Sequence, residues 1–140
     1  MLNSAPQPDA YQRILPAHGG QSRDEKEYCV GAPELAVEIS VTSTDYDFGP
    51  KLALYQRAGV QEYITIETFG QRIVWRVLQN GVYLQTLPLD GILRSRAFPV
   101  LWLDVAAFWK GDGAGMLAAL NAGLASEDHQ RFIERLAIAK

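Results

Sequence analysis

An α/β (α+β) fold is predicted by three features of this 140-residue chain. Residues 34–41 alternate with the period of a strand, and a helix and a second strand follow at the length of a crossover onto one sheet. Asn80-Gly81, between two β-rich runs, is a strong short hairpin signal because both turn positions tolerate positive φ. Two helical stretches then close the chain.

In chain order, residues 1–8 form a loose entry in which Pro6 and Pro8 resist regular structure. Asp9–Leu15 reads as a short strand with weak alternation, and Pro16–Pro33 as a long polar connection or hairpin tip containing Gly19-Gly20. In the strand at 34–41, Leu35, Val37, Ile39 and Val41 point one way, and this aliphatic face is expected to be the covered one. Glu34 and Glu38 share the other face, roughly 13 Å apart at about 3.3 Å per residue. A helix is predicted over Phe48–Ala58, with Asp47 as its cap, Pro50 in the first turn and Gly59 as its stop. A strand at Gln61–Glu67 follows. The hairpin joins Arg72–Leu78 to Val82–Leu87, with Ile73, Trp75 and Val77 facing the core. Residues 89–104 read as an irregular, apolar segment leading into a short helix near Val105–Trp109. Gly111, Gly113 and Gly115 superficially suggest a phosphate loop. No strand enters them and no Lys-Ser/Thr follows, so they read as a flexible linker. The closing helices are placed at about Ala114–Gly123 and Glu127–Ala137, the second capped by Ser126. Leu117, Leu120 and Leu124 form a core or partner-facing stripe, as do Phe132, Ile133 and Leu136.

The composition, 48% hydrophobic and 21% charged, is that of a globular chain, which excludes disordered and fibrous classes. No apolar run approaches the roughly 20 residues that span a bilayer. The one cysteine, Cys29, excludes an internal disulfide framework and fits a reducing cytoplasm. Zinc ligation is disfavoured, since Cys29, His18 and His129 lack ligand spacing. The net charge of −3 arises entirely in residues 1–60. An acidic chain is a poor electrostatic match to DNA unless cations or a local basic patch intervene.

Three charged groups stand out: Asp9 after Pro8, Glu38 in the strand and Lys51 at the start of the helix. Carboxylates on adjacent strands can hold a hard cation such as Mg²⁺ or Mn²⁺ through oxygen. A neighbouring ammonium can activate water or stabilise charge on a phosphoryl group in transfer. The alternatives are plain ones. Glu38 can sit on a solvated strand face, Asp9 can open a turn, Lys51 can pair with Asp47 four residues earlier, and Tyr55 can simply pack.

The chain resembles the Uma2 family, a branch of the PD-(D/E)XK nuclease superfamily, over nearly its whole length. The resemblance is carried by PD at 8–9, GAPELAVEIS at 31–40, KLALYQRAGVQEY at 51–63, the hairpin around QNGVY, and GILRSRAFPVLWLD at 91–104. GGQSR at 19–23 marks a subgroup. It implies a restriction-endonuclease-like core, a mixed β-sheet flanked by helices, over residues 1–110. Residues 111–140 would then be a helical extension packed on that domain or on a partner.

The resemblance further implies a Mg²⁺- or Mn²⁺-dependent endonuclease acting on DNA. Asp9 and Glu38 become metal ligands, and Lys51 the catalytic ammonium displaced onto the helix. Ser40 stands where the motif lysine is usual. Glu34, Ser40, Gln21 and Tyr55 are supporting groups around the site, with Glu34 either a further acidic ligand or only part of the Pro-Glu turn. Relatives carry further elements before the PD motif, whereas seven residues precede Pro8 here. An unpaired edge at Asp9 is therefore expected, with reduced stability, self-association (a homodimer being one form) or a poorly formed site as its consequence. The missing motif lysine and acidic charge support an alternative: a nuclease-fold binding or assembly module without turnover.

Overall fold

The computed structural model describes residues 8–26, 28–41 and 48–139. The chain divides into two compact units, one ending at Gln85 and one running from Thr86 to Ala139.

In order, the first unit contains β1 (Ala10–Gln12), β2 (Arg23–Glu25), β3 (Tyr28–Val30), β4 (Leu35–Ser40), α1 (Phe48–Ala58), β5 (Glu62–Glu67), β6 (Arg72–Gln79) and β7 (Val82–Thr86). The main sheet has the order β1-β4-β5-β6-β7. β4 and β5 are parallel, with Glu38 opposite Thr65, and α1 is the crossover between them. β1 runs antiparallel along β4, pairing Ala10 with Val37, and β6 runs antiparallel along β5, pairing Thr65 with Val74. This is the mixed α/β architecture that the strand–helix–strand pattern implied. The polar connection before β4 contains a hairpin of its own, β2 with β3.

The helix bounds match the sequence reading because the C-terminal signal is unambiguous. Gly59 adopts φ 89°, its N–H bonds the Gln56 carbonyl, and the Val60 N–H reaches back to the Tyr55 carbonyl. This is a Schellman closure, in which the residue after the glycine packs on the last helical turn. Val60 and Tyr55 indeed share one buried cluster with Ala32, Ala36 and Tyr63. The proposed Asp47 cap and its pairing with Lys51 lie outside the described residues.

The expected face of β4 is covered at its start, where Leu35 is buried, but the helix packs on the other face. Ala36 and Glu38 are buried, whereas Ile39 is 47% and Val41 76% exposed. The helix lands on the face where Ala36 is small enough to admit Tyr55. Tyr55 then stacks edge-on against Tyr63, their ring centroids 5.0 Å apart and 72° between planes. Such a pair contributes about 0.5–1.5 kcal/mol beyond the area it buries. On the opposite face Leu35, Ile64, Trp75 and Val77 are buried.

The second unit contains β8 (Ile92–Arg94), β9 (Trp102–Asp104), α2 (Val105–Lys110), α3 (Gly113–Leu124) and α4 (Glu127–Ile138). The segment read as irregular is therefore an antiparallel pair, Leu93 opposite Leu103, whose strands are too short to show alternation. The glycine-rich stretch is not a linker either. Gly111 closes α2 at φ 70°, and Gly113 and Gly115 form the first turn of α3 behind the Asp112 cap. Asp104 and Ser126 cap α2 and α4 in the same manner. Phe98 and Phe132 meet edge-on at 6.1 Å in this core. Leu117 and Leu124 of the predicted stripe remain 59% and 49% exposed. No helix among the described residues is long and apolar enough to cross a membrane.

Candidate metal and catalytic site

Glu38 is the centre of the site. It projects from the β4 face beneath α1 and is only 2% exposed. A carboxylate so placed requires partners, since an unpaired buried charge is very costly. Two come from one turn of α1, where residues four apart lie on the same side. The Tyr55 hydroxyl donates to Glu38 Oε1 at 2.9 Å, and Lys51 Nζ lies 3.2 Å from Oε2. The lysine is half-buried, its side chain retaining 30% of its exposure.

Asp9 reaches the same place from the neighbouring strand. The β1–β4 register pairs Ala10 with Val37, and one step further sets Asp9 beside Glu38. Asp9 is exposed and its Oδ2 accepts the Ile39 N–H at 2.7 Å. Its charge is felt by the buried tyrosines. Burial lifts the Tyr55 hydroxyl well above its ordinary pKa of 10.0, and the Glu38 hydrogen bond, then the charges of Glu38, Tyr63 and Asp9, add to the rise. Tyr63 is raised by burial, then by Glu38, with a smaller contribution from Asp9. Both phenols therefore stay neutral donors at any physiological pH.

Asp9, Glu38, Lys51 and Tyr55 thus converge. Glu34 and Gln21 serve elsewhere. Glu34 is 1% exposed, and its two oxygens accept the Ile14 and Gln21 backbone N–H groups, each at 2.8 Å. Gln21 Nε2 in turn donates to the carbonyls of Ala32, Pro33 and Gly59. The loop between them closes so tightly that a Cβ on Gly20 would sit 1.8 Å from the Ile14 carbonyl oxygen. The GGQSR motif therefore fastens the lead into β4. Ser40 lies two residues beyond Glu38, and its carbonyl accepts from both the backbone and hydroxyl of Thr68.

The sequence reading passed over Tyr63, Thr65 and Arg76, which share the Glu38 face. Tyr63 is fully buried, and its hydroxyl has no hydrogen-bond partner among the described residues. Thr65 stands directly opposite Glu38, and its hydroxyl accepts from Arg76 at 3.1 Å. The signal was present: Tyr63, Thr65 and Glu67 have one parity in β5, as do Arg72 and Arg76 in β6. Only the strand register was needed to bring them together.

The family model for Uma2, described as "Putative restriction endonuclease", matches residues 2–106. The chain belongs to the Uma2 family. No curated protein matches it. Residues 8–9, 31–40 and 51–63, among those that carried the resemblance, fall within the matched span and contain Asp9, Glu38, Lys51 and Tyr55. Among the described residues no group of three or more His, Cys, Asp or Glu side chains is arranged for a metal. A metal here would rest on the Asp9–Glu38 pair. That donor set suits Mg²⁺ or Mn²⁺, which take oxygen ligands and commonly use one or two carboxylates plus water and substrate phosphate.

Proposed function

We propose that this Uma2 protein is a Mg²⁺- or Mn²⁺-dependent DNA endonuclease that hydrolyses phosphodiester bonds at Asp9, Glu38 and Lys51. The observation that carries this reading is the buried Glu38 carboxylate held between a lysine and a tyrosine, with Asp9 beside it on the adjoining strand. The metal, when bound, supplies Lewis-acid polarisation of the phosphodiester and activation of water. Asp9 and Glu38 hold it. Lys51 sits 3.2 Å from Glu38, from where its ammonium orients the attacking water and offsets charge growing on the phosphoryl oxygens. Tyr55 keeps Glu38 in position and, staying neutral, does not compete for its charge. Water adds to phosphorus and gives up a proton to solvent, the P–O ester bond breaks, and the leaving oxygen takes a proton back from solvent, so the hydrolysis balances.

A second reading, a nuclease-fold binding module without turnover, is favoured by the same contacts. Both Glu38 oxygens are already engaged, one by Tyr55 and one by Lys51. Isothermal titration of Mg²⁺ and Mn²⁺ into the wild-type protein and Glu38→Gln separates the two. Saturable binding of one or two ions, lost in the variant, supports the nuclease. A folded wild-type protein that binds neither ion retires it in favour of the binding module.

A further inference from the structure

We propose that the groove between α1 and the β6–β7 hairpin is a phosphate-binding subsite for the DNA strand, centred on Arg76 and Arg72. This rests on the nuclease reading for its substrate, but not for its observations. The groove encloses about 380 Å³, with Leu52 and Val74 as an apolar floor and Gln56, Tyr83 and the two arginines around it. No acidic side chain among the described residues lines it.

Arg76 is the key group. It is half-buried, and neutral partners hold it: its Nη1 donates to the Thr65 hydroxyl at 3.1 Å, and its guanidinium lies 5.3 Å from the Tyr63 ring centroid. Among the described residues no carboxylate lies within ion-pair distance of it. Arg72 is compensated by Glu67, with Nε 2.8 Å from Oε2, yet its side chain remains 62% exposed. Two guanidiniums against one carboxylate leave a local positive surplus on an acidic chain. This is the basic patch that binding to a polyanion requires. Burial, and then the charge of Arg72, pull the Arg76 pKa down against opposing contributions, each smaller than that of burial, from Tyr63, Tyr83 and Glu67, and an anion in the groove would relieve that cost.

Position argues for the strand being cut rather than for a free anion. Glu38, Thr65 and Val74 are successive partners across β4, β5 and β6. At about 4.8 Å between strands, the groove floor lies roughly 10 Å from the Glu38 backbone. That is within reach of a phosphate one or two nucleotides along the same strand from the bond being cut. Helix α1 serves both places, turning Lys51 and Tyr55 toward Glu38 and Leu52 and Gln56 into the groove. The Gln56 amide is oriented there because its oxygen accepts the Tyr83 N–H at 3.0 Å. The apolar floor suits a deoxyribose between contacted phosphates.

The test is fluorescence anisotropy of a labelled DNA duplex in EDTA, where no metal-dependent cleavage occurs, over a series of salt concentrations. Arg76→Gln and Arg72→Gln are each expected to weaken binding several-fold and to flatten the slope of log K against log salt by about 1. Arg76→Lys, which keeps the charge, is expected to restore the slope. Unchanged slopes in both glutamine variants overturn the proposal, as does a wild-type protein with no salt-dependent DNA binding. Because Arg72 is exposed, its variant reads charge loss even if Arg76→Gln unfolds. Titration of Mn²⁺ into the wild-type protein reports separately on the nuclease. If Mn²⁺ fails to bind while the arginines still carry the slope, the nuclease reading falls and the subsite stands.

Discussion

Glu34 and Glu38 are both buried carboxylates, four residues apart in sequence, and they do opposite work. Glu34 spends both oxygens on backbone N–H groups of a tight loop, which cannot move without unfolding it. Among the described residues Glu38 is held by side chains, a tyrosine and a half-exposed lysine, which can rotate away and leave the oxygens to another cation. Burial alone therefore does not distinguish a structural carboxylate from a reactive one. The partners do: backbone donors make a clamp, and side-chain donors make a holder.

The largest break in this comparison is expected from Glu38→Gln. It keeps the shape and removes the charge, so cleavage of plasmid DNA should fall by about 10³-fold or more while a thermal melt shifts little. Glu34→Ala should do the reverse, losing roughly 3 kcal/mol of stability by urea unfolding as two charge-assisted hydrogen bonds disappear. Its metal affinity should survive wherever the protein remains folded. Equal effects of the two substitutions on both readouts would erase the distinction. Lys51→Met comes next, with turnover expected to fall on the order of 10²-fold.

A pH series sharpens the boundary around Glu38. Tyr55, Tyr63 and Tyr83 all have pKa values raised above 10.0, chiefly by burial, so the folded state holds their protons more tightly than the unfolded one. Their contribution is complete below pH 10 and is lost as pH climbs through the folded-state values. Denaturant midpoints should therefore fall steeply above pH 10, with the tyrosinate absorbance of these three residues appearing only on unfolding. Tyr55→Phe is the smallest change. It should cost about 1 kcal/mol for the lost hydroxyl and make the alkaline fall shallower.

Much of this was legible in the residues. The helix over Phe48–Ala58 followed from Gly59, and the hairpin from Asn80-Gly81, because each turn demands a particular backbone conformation. Asp9, Glu38 and Lys51 were named from charge and spacing, and the fold brings them together. The covering of β4 was read only in part, since Leu35 is buried as expected but so are Ala36 and Glu38 on the other face. Alternation states that a strand has two faces, but tertiary packing decides which receives the helix, and the small Ala36 settled it. The Thr65–Arg76 contact needed a strand register that no local pattern encodes. The β8–β9 pair was hidden by strands three residues long. The glycines of 111–115 misled because a cap followed by a first helical turn has the composition of a linker.

The side chain of Gln21 reaches further than its place in a loop suggests. Its amide joins the carbonyls of Ala32 and Pro33, at the entrance to β4, to that of Gly59, where α1 ends, and its oxygen accepts from Gln61. One residue thus spans both ends of the crossover. Opening of the loop that leads into β4 and fraying of the last helical turn then belong to a single cooperative unit rather than two. Amide protons of Ile14, Gln21 and Val60 should exchange with a common free energy, and Gln21→Ala should split that value into two.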